Sequence, residues 1–121
     1  NDVEMIVRGD YYQKNGKHYV LYEELIEGFK EPVKNIIKIT STSMDITKKG
    51  TAITHMLFEK NRKNVSCYST PFGEIVVGIQ ANHFAVDEQA DSLKVNVDYS
   101  LDINYEHMSD CRILVDVQSC Q

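Results

Sequence analysis

The stretch YSTPFGEIVVGI, residues 68–79, sets a Thr-Pro-Phe-Gly break between two apolar runs, with Cys67 immediately upstream. A cysteine nucleophile needs a base beside it and a cationic or helix-terminal setting that lowers the thiol pKa. No histidine stands near Cys67 in the sequence, whereas a hairpin corner accounts for Pro71 at a fixed φ and for Gly73 where the chain turns back. The expectation is a strand thiol next to a turn. His18, His55, His83 and His107 lie far apart and form no pairing at zinc-finger or HExxH spacing, so no metal and no cofactor are expected.

Glu23 and Glu24 look like a catalytic pair of carboxylates, but neighbouring residues of a strand point to opposite faces and cannot flank one reacting bond. Glu24 shares its face with Tyr22, Val20 and His18; Glu23 shares the other with Leu21 and Tyr19. Were the first set interior, Tyr22 and Glu24 would be polar groups able to orient a ligand. The alternative pairs them with a Lys or Arg of an adjacent strand. Seven tyrosines and no tryptophan add to this. Tyr12, Tyr19, Tyr22, Tyr68, Tyr99 and Tyr105 fall on expected strands, where each can bury a ring and present a hydroxyl, as pocket lining or as plain packing. Arg8 and Arg112 are the arginines on strands; one turned inward would anchor a carboxylate. Periodicity puts Arg112 opposite the apolar face, and Arg8 shares a face with Ile6 and Glu4. The candidate pocket residues are therefore Arg8, Tyr12, Tyr22, Glu24, Tyr68 and Tyr99. There is no Gly-rich phosphate loop, GxSxG elbow or Ser/His/Asp spacing, and an enzyme is not expected.

The elements that must position these residues are strands. Over residues 94–105, Val95, Val97, Tyr99, Leu101, Ile103 and Tyr105 alternate with polar residues, and Cys111, Ile113, Val115 and Val117 repeat the period beyond the polar turn EHMSD; only Leu114 breaks the polar face. At the other end Asn15-Gly16 supplies the positive φ angles of a tight hairpin between arms at residues 3–13 and 17–25. The segment EGFKEP, residues 27–32, interrupts the pattern. Short strands follow at 34–40, 43–48 and 51–59, with Lys49-Gly50 as a corner, then at 65–70 and 73–85. Only residues 22–29 approach a helical spacing, and Gly28 interrupts it. Nine or ten strands joined by short connections predict an all-β antiparallel meander, and curling into an up-and-down barrel is the common way to remove exposed edges.

Composition agrees with one domain over residues 1–121. The hydrophobic share of 42% is enough for a core, and only two prolines interrupt the chain. Thirteen basic against eighteen acidic residues give a formal net charge of −5, which argues against nucleic acid; the most basic patch, the KNRK segment of residues 60–63, reads as a solvated loop. Three widely spaced cysteines suggest a reducing compartment, the cytoplasm, and no apolar run is long enough to cross a membrane. The chain opens with Asn1, and a leader removed ahead of it would leave no trace.

RGDYYQKNGKHYVLYEE, the segment 36–48, YSTPFGEI and the strand ending in SLDINYE together resemble the YwiB-type family, small bacterial proteins with a calycin-like, lipocalin-like β-barrel. The resemblance covers nearly the whole chain and rests on structural motifs: Gly9 before Tyr11-Tyr12, Tyr22-Glu23-Glu24 on the returning strand, and Phe72-Gly73 at the corner. The family pattern has one more strand ahead of the position of Val3. The resemblance implies the barrel of about eight to ten strands and an interior pocket, and brings no activity with it. The leading expectation is a non-catalytic binder of a small, largely apolar molecule. The alternative is a protein-interaction or homodimerisation module using an open sheet edge or an exposed apolar face such as Val76 with Phe84.

Overall fold

The computed structural model describes residues 4–50 and 53–120. Among the described residues nine strands follow one another: β1 (Asp10–Lys14), β2 (Lys17–Glu24), β3 (Val33–Ile39), β4 (Ser43–Lys49), β5 (Ile53–Glu59), β6 (Lys63–Thr70), β7 (Gly73–Glu88), β8 (Ser92–Ile103) and β9 (Glu106–Gln118). Among the described residues there is no helix. The strands form a five-stranded sheet in the order β1-β2-β3-β4-β5 and a four-stranded sheet in the order β6-β7-β8-β9. Sequence neighbours are thus neighbours in each sheet, as a meander requires. Two compact units result, Asn1–Thr40 with Met44–Met56, and Ser41–Ser43 with Leu57–Gln121.

Asn15 (φ 53°) and Gly16 (φ 74°) make the β1–β2 corner, both in the left-handed region demanded by a two-residue hairpin turn that matches strand twist. The β1 arm is shorter than expected. Residues 4–9 are exposed and outside any strand, Arg8 included, and residue 3 of the expected arm, with residues 51–52 of the expected strand 51–59, falls outside the described residues. Gly9 explains where pairing starts: a Cβ there would come within 2.6 Å of the Leu21 carbonyl oxygen, so only a bare backbone fits beside β2.

In the first unit one sheet face is buried. Val33, Asn35, Ile37 and Ile39 alternate with exposed or half-buried residues on β3, opposite Glu24, Tyr22, Val20 and His18 of β2. Met44 and Ile46 continue the face on β4, paired with Ile39 and Ile37. Val33, Ile37, Ile39 and Met44 are 6% exposed or less, each a burial of about 1.5–3 kcal/mol. The second unit buries Phe58, Ile79, Ala81, Phe84, Leu93, Val95 and Val97. Phe58 meets the Tyr99 ring edge-on, centroids 4.9 Å apart.

Two departures from simple alternation correct the expectations. Register slips on β7 between Ala81 and His83, so the extra residue Asn82 brings both Ala81 and Phe84 to the buried face. Phe84 is 5% exposed and offers no outer apolar patch with Val76. The last hairpin turns at Asn104 (φ 50°) and Tyr105 (φ 69°), not at EHMSD, all of which belongs to β9. Tyr105, expected on the strand, stands at the turn and is 82% exposed. Asn104 ties that turn to β7: its N–H donates to the Val76 carbonyl (2.8 Å), and Val76 N–H donates to its Oδ1 (3.0 Å).

Candidate functional site

Around the opening motif the structure builds a corner. The Thr70 hydroxyl donates to the Gly73 carbonyl (2.6 Å) and accepts from Phe72 N–H (3.2 Å), while Gly73 takes φ 117°. Cys67 is an exposed free thiol on β6, opposite Val76. Cys111 and Cys120 are free as well. The histidines are dispersed: His18 Nδ1 pairs with the Tyr11 hydroxyl (2.6 Å), His55 Nε2 with Asp45 (2.6 Å), and His107 lies 3.8 Å from Asp102 and 3.6 Å from Asp110. Among the described residues no group of three or more His, Cys, Asp or Glu is placed to hold a metal ion.

The polar group that the fold does assemble lies in the first unit. Register sets Tyr22 of β2, Asn35 of β3 and Lys48 of β4 side by side across three strands, with Glu24 two residues beyond Tyr22 on the same face. Asn35 Nδ2 donates to Glu24 Oε1 at 2.8 Å, and Lys48 Nζ donates to the same oxygen at 3.0 Å. The second Asn35 amide proton points to the Val33 carbonyl at 3.4 Å. Asn35 is 1% exposed, yet its Oδ1 is buried without a hydrogen-bond partner. Leaving a buried carbonyl unpaired costs about 1–3 kcal/mol, and in a native fold such an atom calls for an explanation.

Electrostatics keep the cluster asymmetric. The Glu24 side chain is 13% exposed and that of Lys48 45%, so the carboxylate is withdrawn and the ammonium reaches in from solvent. Burial pushes the Tyr22 phenol above its ordinary pKa of 10.0, and the Glu24 charge adds to this against a smaller opposing effect of Lys48. Tyr22 therefore stays protonated at neutral pH. Beside the polar end, Val20, Ile37 and Ile46 line the same face in register.

Of the candidates named from sequence, Tyr22 and Glu24 share one face of β2, and Glu24 pairs with a lysine as in the alternative reading, although Lys48 comes from β4 and not from the adjacent strand β3. Tyr12 lies on the other face, stacked on Tyr19 with ring centroids 4.8 Å apart, because its register partner is Tyr19 and not Val20. Arg8 is in the exposed segment before β1. Tyr68 and Tyr99 belong to the second unit, both half-buried. Burial pushes the Tyr99 hydroxyl from 10.0 up to about 12, with Cys111, its hydrogen-bond partner and register neighbour, adding to the shift. Arg112 faces outward as expected and holds Asp98 at 2.7 Å. Sequence reasoning missed Asn35 and Lys48. The signal for Asn35 was there: it is the one polar residue in the phase Val33, Ile37, Ile39.

On the outer side of the second sheet, Gly78 leaves room for the Lys63 side chain to lie across it and bond Asp102 at 2.6 Å. Val65, Val76 and Tyr105 complete a shallow depression there, open to solvent.

A family model described as "Domain of unknown function (DUF1934)" matches residues 1–115. Among solved structures, the chain is similar to the ywiB protein from Bacillus subtilis, at 20% identity and a TM-score of 0.68, over 93% of this chain and 75% of that one. At that identity the likeness shows the fold alone. No curated protein matches the chain.

Proposed function

The chain belongs to the DUF1934 family, and from that premise we propose that it is a calycin-like, non-catalytic binder of a small, largely apolar molecule, oriented by Tyr22, Glu24, Asn35 and Lys48. The observation that carries the proposal is Asn35 Oδ1, a buried acceptor without a donor, set beside a withdrawn carboxylate at the polar end of an apolar sheet face. A ligand with a polar head and an apolar body meets both: its head supplies the missing hydrogen bond, and its body packs against the half-buried Val20 and Ile46. Orphaned polar groups raise specificity, because a ligand lacking the matching donor leaves them unpaired. The dispersed histidines and the position of Cys67 on β6 opposite Val76 support a binding role over catalysis. A net charge of −5 supports the absence of nucleic acid, and three free cysteines support a reducing, cytoplasmic setting. Among the described residues no helix is long and apolar enough to cross a membrane.

One observation favours a second reading. β1 ends the five-stranded sheet with all five residues exposed, Tyr11 and Tyr12 at 45% and 47%, and Ile6 ahead of it is 88% exposed. Such an edge fits a protein partner or a second copy of this chain.

The test uses N-phenyl-1-naphthylamine, an uncharged probe whose fluorescence rises in apolar surroundings. Wild-type protein should bind it saturably. Asn35→Leu removes a charge-assisted hydrogen bond, about 1.5–3 kcal/mol, together with an orphaned carbonyl costing about 1–3 kcal/mol, so the melting temperature should stay within a few degrees. Binding of small amphiphiles that compete with the probe should weaken about tenfold, the loss of one good hydrogen bond. No saturable probe binding to the wild type, or amphiphile affinity unchanged in a folded Asn35→Leu, overturns the proposal.

A further inference from the structure

Resting on that reading, we propose that the ligand's head is a primary ammonium group, so that the class bound is a small amphiphilic or aromatic amine, and that Lys48 occupies the amine's place until it arrives. The free protein already holds an ammonium there. Lys48 Nζ sits 3.0 Å from Glu24 Oε1 at the end of a long, half-exposed side chain, which can return to water at little cost. Its bond falls on the oxygen that Asn35 Nδ2 also uses, and Asn35 Oδ1 receives nothing from it.

Covalent geometry places the vacant acceptor within reach of the same cation. Asn35 Nδ2 is 2.8 Å from Glu24 Oε1. The two terminal atoms of a primary amide lie roughly 2.2 Å apart, so Oδ1 stands no more than about 5 Å from the carboxylate oxygen. One nitrogen donating at ordinary lengths of about 2.7–3.2 Å spans two acceptors at that separation. An ammonium has three protons: one for Glu24, one for Asn35 Oδ1, and one for a third acceptor, the Tyr22 hydroxyl on the same face. Lys48, tethered to β4, makes only the first of these bonds. A carboxylate head would meet Glu24 with like charge, and Arg8, the side chain expected to receive it, is in the exposed segment before β1. An alcohol could satisfy Asn35 but would leave the Glu24 charge to Lys48.

Octylamine, octanol and octanoate, which share one tail and differ only in the head, should compete against N-phenyl-1-naphthylamine at neutral pH. The amine should displace the probe at a concentration about tenfold below that needed for octanol, a difference of one charge-assisted bond, with octanoate weakest. In Glu24→Gln the amine should lose that advantage while octanol is unchanged. In Lys48→Met, where the internal competitor is gone, the amine should bind more tightly than in the wild type. Octanol or octanoate equalling the amine on wild-type protein overturns the inference and leaves the binder reading standing, since the probe is still held and displaced. Probe that never binds the wild type overturns both. Should Glu24→Gln fail to fold, Lys48→Met decides, and an amine affinity unchanged or lowered there contradicts the inference.

Discussion

Asn35 and Tyr99 show how much a residue's meaning depends on its register partners. Both sit in buried phases of their strands, and both carry polar atoms away from water. Tyr99 has an answer to its burial, a hydrogen bond with Cys111, and its hydroxyl is pushed up to about 12. The sign of the consequence is fixed. Where the folded pKa lies above the unfolded value of about 10, the protein holds its proton longer than the unfolded chain does, so this contribution to stability is complete below pH 10 and is lost as pH rises toward 12. Melting temperature measured across this alkaline range should fall more steeply in the wild type than in Tyr99→Phe; equal slopes would show that Tyr99 does not sense its burial. Asp98 works the other way at the acid end, its carboxyl held below the ordinary 3.8 by the hydrogen bond from Arg112. That contribution is present above the ordinary value and fades as pH falls through the lowered one. The types of these residues are visible in the sequence, and so is the phase of Asn35. Which side chain each meets is a matter of register with the neighbouring strand, where Lys48 comes opposite Asn35 and Cys111 opposite Tyr99.

Strands were the legible elements because period two is written directly into residue order. The Asn15-Gly16 corner appears where the sequence puts it, and the strand expected over residues 94–105 runs to Ile103, with Val95 and Val97 buried between less buried neighbours and the difference fading beyond Asp98. What escaped were places where the chain changes phase without changing composition. Asn82 inserts one residue and shifts everything after it, so counting by twos from Val76 puts Phe84 outside when it is inside. The Asn104-Tyr105 turn is hidden for a related reason: Tyr105 falls in the apolar phase of β8, and the alternation runs on through the corner. A tyrosine at φ 69° is unusual, because a side chain in the left-handed region costs about 1–2 kcal/mol that glycine escapes. Tyr105→Gly should therefore stabilise the hairpin, with a gain of about 0.5–1 kcal/mol in urea unfolding once the entropy of the freer unfolded glycine is deducted. A loss of stability would mean that the exposed ring makes contacts worth more than its backbone strain.

At the scale of the molecule, alternation and short connections dictate antiparallel meanders, of five and of four strands among the described residues, and the likeness to the ywiB protein agrees with an all-β fold. Function is less legible at this scale because a shared fold does not carry a shared site. The claim specific to this chain is that the buried face of β2, β3 and β4 ends in an incomplete polar group awaiting a ligand. Native mass spectrometry of the protein purified from its own cells, wild type beside Asn35→Leu, tests this most directly, since it reports retained small molecules and subunit number together. The wild type should carry a non-covalent adduct of the mass of a small organic molecule, lost in a folded Asn35→Leu. Wild-type protein at its bare sequence mass, or as a bare dimer, would contradict it, and the dimer would favour the exposed β1 edge.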